Sequence, residues 1–327
     1  MIDAYQGRSR AFASVAAGGL ALAGATLLGV AALRPSDTNT LISHSRPAGS
    51  YDEAIARFTQ FCAHEGRAVA AYGQSLLYSH GQRTARALVL IHGLTNCPQQ
   101  YVQLAPLFQA HGYNVIVPRM PHHGLADRDT HALARLTAEE LRDYADEVID
   151  IAAGLGREVT VAGISAGGVI AAWLAQFRPD LACAVLIAAA FRLNVIPGPL
   201  NTVAMNLFTR LPDLHLTGGE KLPHAYAADS TRGFGEVMLL GEATRRAART
   251  QPACAKSVVV ITNASDTVDN GLVHDLANSW QQHGLHRVSR YEFGAEAQHI
   301  HDLIDPTQAK QQTDAVYPLL LDLIAAA

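Results

Sequence analysis

The sequence predicts an α/β fold, a mainly parallel central sheet flanked by helices. Three observations predict it. From residue 51 onward, short apolar runs alternate with amphipathic helical stretches, which is the pattern of a sheet buried on both faces. A G-x-S-x-G pentapeptide at 163–167 stands between one such run and one such helix. The composition, 49% hydrophobic and 17% charged over 327 residues, supplies a large core and excludes a disordered chain. Lys+Arg 25 against Asp+Glu 29 gives a net charge of −4. No basic excess is then available for phosphates, so nucleic acid is not an expected partner. An aromatic share of 6% likewise speaks against a base-stacking surface.

The first 50 residues read as an anchor and a tether. Residues 1–10 hold Arg8 and Arg10, and the run from Ala11 to Leu33 carries no charge. That run is longer than the roughly 20 residues a helix needs to cross a hydrocarbon core, so residues 11–33 are expected to be a single-pass transmembrane signal anchor. The positive flank keeps residues 1–10 in the cytoplasm and sends the remaining chain to the extracytoplasmic side. Two readings compete. A cleaved signal peptide, with Val30-Ala31-Ala32 as the cleavage site, would leave a secreted or periplasmic protein. A buried soluble helix would have to be apolar all round. Residues 34–50 mix Pro, Ser, Thr and Asn without periodicity and are expected to form a linker.

The catalytic domain is expected over 51–327. Tyr51 to His64 has an amphipathic helical pattern, and Ala87 to Ile91 is an apolar strand ending at His92-Gly93. Tyr101 to Ala110 reads as a helix and Tyr113 to Pro118 as a strand. Thr137 to Leu155 is a long helix, with Thr137 and Glu140 spaced as a capping box. Glu158 to Ala162 is a strand running into Gly163, and Ile164 to Phe177 is helical. Ala184 to Ala190, Val258 to Thr262 and Val288 to Phe293 are the later strands.

In such a sheet, chemistry sits at the carboxyl ends of the strands. The turn around Ser165 is so tight that side chains at positions 163 and 167 would collide, and glycine stands at both. Ser165 is therefore the candidate nucleophile. A serine hydroxyl needs a base within reach, and that base needs an orienting acid. The acid is expected after the strand Val258 to Thr262, where Asp266 is favoured over Asp269. The base is expected after the last strand, where His301 is favoured over His299. The H-x-H pair could also ligate a metal, but no further ligand cluster with metal spacing is evident, and no metal or organic cofactor is expected. The oxyanion of acyl transfer needs backbone donors. The amide of Ala166 follows the nucleophile, and that of Leu94 follows His92-Gly93; the side chain of His92 reads as structural.

The order HGLT, YNVIVPRMPHHG, GISAGG, ITNASD and HIHD, over roughly residues 85–325, resembles the α/β-hydrolase superfamily. It is most similar to the branch of serine esterases, monoacylglycerol lipases and lysophospholipases. The resemblance implies Ser165, Asp266 and His301 as a triad, in the chain order Ser, Asp, His, with Leu94 and Ala166 as oxyanion donors. Pro121-His122-His123-Gly124 resembles the family's P-G-H-G loop, with His122 in place of its first glycine. Residues 192–249 break the alternation and resemble a cap insertion, with Met205, Leu207 and Phe208 as substrate-contacting candidates; the competing reading is a loop plus an ordinary crossover helix. With the fold so placed, Cys62–Cys97 and Cys183–Cys254 are the expected disulfides. The expected function is a membrane-anchored serine hydrolase of carboxylic esters, its substrate a small-molecule or lipid-derived ester. A thioesterase, acyltransferase or peptidase would use the same triad, and a non-catalytic membrane-associated binding protein is the rival of another class.

Overall fold

The computed structural model describes residues 29–326 apart from 31, 65, 67 and 218–221. The apolar runs become strands β1 (Leu76–Tyr78), β2 (Thr84–Ile91), β3 (Tyr113–Val117), β4 (Gly156–Ile164) and β5 (Leu181–Ile187), then β6 (His215–Thr217), β7 (Ala228–Ser230), β8 (Val258–Asn263) and β9 (Val288–Phe293). A seven-stranded sheet runs in the order β1-β3-β2-β4-β5-β8-β9, and β6 pairs with β7 in a small antiparallel ribbon. The large sheet is parallel except at its edge, where β1 lies antiparallel to β3.

Helices α1 (Tyr51–Ala63), α2 (Leu104–Ala110), α3 (Ala138–Leu155) and α4 (Ala166–Phe177) precede β5, and α5 (Asn201–Arg210), α6 (Thr231–Ala248), α7 (Asn270–Gln282) and α8 (Thr313–Ala325) follow it. The period of two along a strand divides the core into two layers. Ala87, Val89 and Ile91 of β2 pack with α1, α3, α4, α6 and α7. Leu88 and Leu90 pack with α2 and α8 on the other face. The Thr137 box caps α3 as the spacing predicts: Thr137 Oγ1 accepts from the Glu140 amide, and the Glu140 carboxylate accepts from the Thr137 amide.

Two elements differ from expectation. The helix expected from Tyr101 starts at Leu104, after a separate 3-10 turn at Pro98–Tyr101. A proline ring clashes with the carbonyl four residues earlier, so Pro106 stops the helix from reaching back to Val102. The strand expected to run to Ala190 ends at Ile187, because Ala188 turns to a positive φ of 44°.

Residues 34–50 contain no helix or strand, yet they lie on the domain. Leu41 is completely buried, and its carbonyl accepts from Trp173 Nε1. Ser43 Oγ and the His44 amide donate to Asp146, and the Arg46 amide donates to Asp150. The same two carboxylates of α3 hold Arg178, which is fully buried and also grips Asp180. Farther back, Ser36 Oγ donates to Asn206, Asn206 to the carbonyl of Ala32, and Arg210 to the carbonyl of Arg34. The segment is thus a strap fastened at one end to α3 and at the other to α5. The stretch expected as an anchor, 11–33, falls for the most part outside the described residues. Among the described residues no helix is long and apolar enough to cross a membrane.

The expected disulfides are not formed. Cys97 Sγ donates instead to the carbonyls of Tyr72 and His224, whereas Cys62 packs against the core on the α3 side of the sheet. Cys183 points into the core on the α2 and α8 face, while the exposed Cys254 binds through its amide to Ala175 of α4, on the other face. β5, which holds Cys183, and β8, which Cys254 precedes, are neighbours, but the two cysteines lie on opposite sides of the sheet.

Candidate active site

Ser165 is the single residue between β4 and α4. Its backbone has φ 58° and ψ −116°, a conformation that costs an L-residue on the order of 1–3 kcal/mol and persists only when its surroundings enforce it. They do. The Ser165 amide donates to Ile187 O, and Ser165 O accepts from the Ala190 amide. A Cβ on Gly163 would lie 2.1 Å from the Gly167 carbonyl oxygen, and one on Gly167 would lie 2.2 Å from that of Ile91. The glycine requirement read from the pentapeptide is therefore a backbone-to-backbone contact. The turn leaves the Ser165 side chain on the wall of a cavity of about 630 Å³ at the carboxyl ends of the strands.

His301 lines the same cavity, and its Nδ1 lies 2.6 Å from Asp266 Oδ1. The Asp266 side chain is 0% exposed. Its Oδ1 also accepts from the amides of Thr267 and Val268. Burial pushes the His301 pKa down, but the hydrogen bond and negative charge of Asp266 outweigh it, and the net shift is upward. Among the described residues no hydrogen bond joins Ser165 to His301. Catalytic hydrogen bonds commonly tighten only when substrate is bound.

The alternative acid and base are engaged elsewhere. Asp269 pairs with Arg192 and caps α7 through the Leu272 amide. The His299 ring packs edge-on against Phe293, centroids 4.6 Å apart, and burial lowers its pKa. Asn263, at the end of β8, escaped the sequence reading. Its Nδ2 donates to the carbonyls of His299 and Ile300, and its Oδ1 accepts from the Ser265 amide. One amide side chain thus ties the acid loop to the base loop. Only its place at a strand end in ITNASD could have flagged it.

The loop after β2 is equally braced. His92 donates from Nδ1 to Gly93 O and accepts at Nε2 from the Met120 amide, the structural role expected of it. The buried Gln100 accepts from the Gly93 amide. Asn96 donates to Asp302 and Asp305, and Asp305 also holds His224 at 2.7 Å. Burial would raise the Asp305 carboxyl, but His224 and Asn96 bring it below the usual range, while burial and the neighbouring Asp305 hold Asp302 above it. His122 adopts φ 65°, the left-handed region a glycine takes without strain. Its ring meets Glu140 at 3.1 Å, and Tyr226 holds its carbonyl. Leu94 follows Gly93, whose added Cβ would lie 3.7 Å from Ser165 Cβ, and Leu94 lines the cavity; Ala166 directly follows Ser165 at the start of α4.

Within 192–249 two parts separate. α6 packs against α4 and carries the chain from β5 toward β8, which is the crossover reading. The stretch before it contributes Leu193, Phe208, Leu216, Leu222 and Tyr226 to the cavity wall, which is the cap reading. Of the three cap candidates, Phe208 lines the cavity, Met205 is buried in the core, and Leu207 is not on the wall.

A pyrethroid hydrolase of Sphingobium wenxiniae is 31% identical over 107 residues, covering 33% of this chain and 36% of its own length. A thermostable monoacylglycerol lipase of a Bacillus species is 28% identical over 154 residues, covering 42% of this chain and 57% of its own length. The chain therefore spans about a third to just over half the length of these curated relatives. The fold is shared with a metagenome-derived lipolytic enzyme described as one of LipS and LipT, at TM-score 0.59 and 20% identity, over 79% of this chain and 100% of that one. It is also shared with the monoacylglycerol lipase of Paleococcus ferrophilus, at TM-score 0.58 and 18% identity, over 77% and 98%. The sequence profile of the alpha/beta hydrolase family matches residues 88–316, and with this sheet order and serine turn the chain belongs to that family.

Proposed function

We propose that this chain is a serine hydrolase that cleaves carboxylic esters through Ser165, His301 and Asp266. The observation that carries the reading is the 2.6 Å contact of the buried Asp266 with His301, which lines the cavity that also receives the strained Ser165 turn. Ser165 Oγ attacks the ester carbonyl carbon while His301 Nε2 takes the hydroxyl proton. Asp266 fixes the tautomer that leaves Nε2 free to accept. The carbonyl oxygen becomes an oxyanion and accepts from the Leu94 and Ala166 amides. The alcohol leaves with the proton from His301. Water, deprotonated by His301, then attacks the acyl-enzyme and releases the acid.

The wall of Leu193, Phe208, Leu216, Leu222 and Val268 suits an apolar acyl or alcohol group. The relatives' names, a pyrethroid hydrolase and a monoacylglycerol lipase, agree with an apolar ester. Placement at a membrane rests on the uncharged run 11–33 behind Arg8 and Arg10; retention of the full chain in carbonate-washed membranes tests that part alone.

The test of the chemistry joins a fluorophosphonate probe to a series of p-nitrophenyl esters from acetate to palmitate. The wild type should be labelled at Ser165 and release nitrophenol. Ser165→Ala should lose labelling and about 10³-fold or more in rate. An unlabelled, inactive wild type that is folded would overturn the reading. Acyl transfer to an added alcohol in preference to water would make it an acyltransferase.

A further inference from the structure

We propose that His131, Asp213 and His215 form a binding site for a divalent transition ion of the zinc type, which clamps the β6–β7 ribbon to the body of the domain. The candidate ligand atoms of the three residues all lie within 4.8 Å of one another. Asp213 stands two residues before His215, which opens β6, a spacing that in an extended chain turns side chains to one side. His131 comes from far away in sequence, at the head of the 3-10 turn Ala132–Arg135. Its ring centroid is 4.2 Å from that of His215.

Two of the polar atoms in this cluster are buried and have no hydrogen-bond partner: Asp213 Oδ2 and His215 Nδ1. A buried polar atom left unpaired costs about 1–3 kcal/mol, so two in one cluster ask for a shared partner. The other carboxylate oxygen is fully occupied. Asp213 Oδ1 accepts from Ser230 Oγ at 2.7 Å, the Arg232 amide at 2.9 Å and Thr231 Oγ1 at 3.3 Å. These bonds aim Oδ2 and do for the carboxylate what outer-shell partners do around a metal. A carboxylate oxygen and two imidazoles form a ligand set. A cation satisfies all three together.

The chemistry of the set selects the ion. Two imidazoles and one carboxylate suit zinc, cobalt or nickel, with water completing the shell; calcium and magnesium prefer all-oxygen sites. Ligand atoms about 2.0–2.2 Å from a tetrahedral ion lie roughly 3.3 Å apart, which small side-chain rotations reach from the observed spacing. The ribbon's Leu216, Asp229 and Ser230 line the cavity, and the turn bearing His131 lies between β3 and α3. The ion would fix the cavity wall and take no part in acyl transfer.

Tag-free full-length protein stripped with EDTA would be titrated with Zn²⁺ by calorimetry, with Tm followed in parallel. One equivalent should bind saturably and raise Tm, and equimolar Mg²⁺ should do neither. His131→Ala, which removes an exposed side chain and leaves the fold intact, should weaken Zn²⁺ binding by more than the roughly 10–100-fold that loss of an outer-shell partner costs. His215→Ala should do the same. Absence of saturable one-to-one binding, or equal affinity in the wild type and His131→Ala, would overturn the proposal. The readouts do not use ester hydrolysis, so the site stands or falls separately from the reading of Ser165.

Discussion

Asp266 accepts from His301 and two backbone amides, and all of these bonds converge on Oδ1. That arrangement fixes the imidazole and raises its proton affinity, so the sign of the pH dependence follows. His301 must be neutral to act as base, and its pKa is raised. The acid limb of kcat/KM should then lie above the ordinary imidazole value of about 6.5. Asp266→Asn removes the charge and favours the wrong tautomer. It should lower kcat by about 10⁴-fold and move the remaining acid limb to lower pH; a limb moving to higher pH would contradict the assignment. Asn263 should behave as a positioning residue. Asn263→Ala, measured against Asn263→Asp, should reduce kcat more than it raises KM, because the loops it ties carry His301 and Asp266. The pairing of Asp266 with His301 was legible in the sequence because strand ends confine the search to a few residues. Asn263 was not, since nothing about a lone amide announces two carbonyl partners 36 and 37 residues away.

The elements were legible wherever one physical rule governed them. β2, β4, β5 and β8 are apolar on both faces because helices cover both, and the serine turn shows its glycines because backbone, not side chain, fills the space. Gly163→Ala should therefore prevent native folding or lower Tm sharply, whereas Gly49→Ala, whose Cβ would meet only Glu53 at 3.6 Å, should be nearly neutral. Thermal unfolding of both variants checks the contrast. The segment 192–249 was less legible because α6 serves two ends at once. Glu236 of α6 accepts from the Ala138 amide at the first turn of α3, and burial pushes its carboxyl up to about 7. A carboxyl raised in the folded state stabilises the fold fully below its unfolded value of about 4.3 and ceases to as pH rises through 7. Tm should fall across that window, and Glu236→Gln should flatten the fall. The disulfides failed for a related reason: spacing gives the order of strands, but the side of the sheet each sulfur faces depends on register.

At the scale of the molecule, a buried cation supports the N-terminal strap. Arg178 is completely buried and holds Asp146, Asp150 and Asp180, two of which take the backbone of residues 44 and 46. Removing one partner of such a buried pair typically costs about 3–5 kcal/mol. Arg178→Met should lose stability of that order in urea unfolding, and it should also expose the strap to limited proteolysis near Leu41; a variant as stable as the wild type would show the network to be dispensable. The strap was read as a tether because it has no periodicity, and its hold comes from partners more than a hundred residues away. Its upstream end is fastened to α5, the helix that presents Phe208 to the cavity. A pull from that direction acts on the Phe208 side of the cavity wall, away from the turn that carries Ser165. Whatever is joined there holds a rein on the doorway: turnover of bulky esters should respond to it, while turnover of small ones should not.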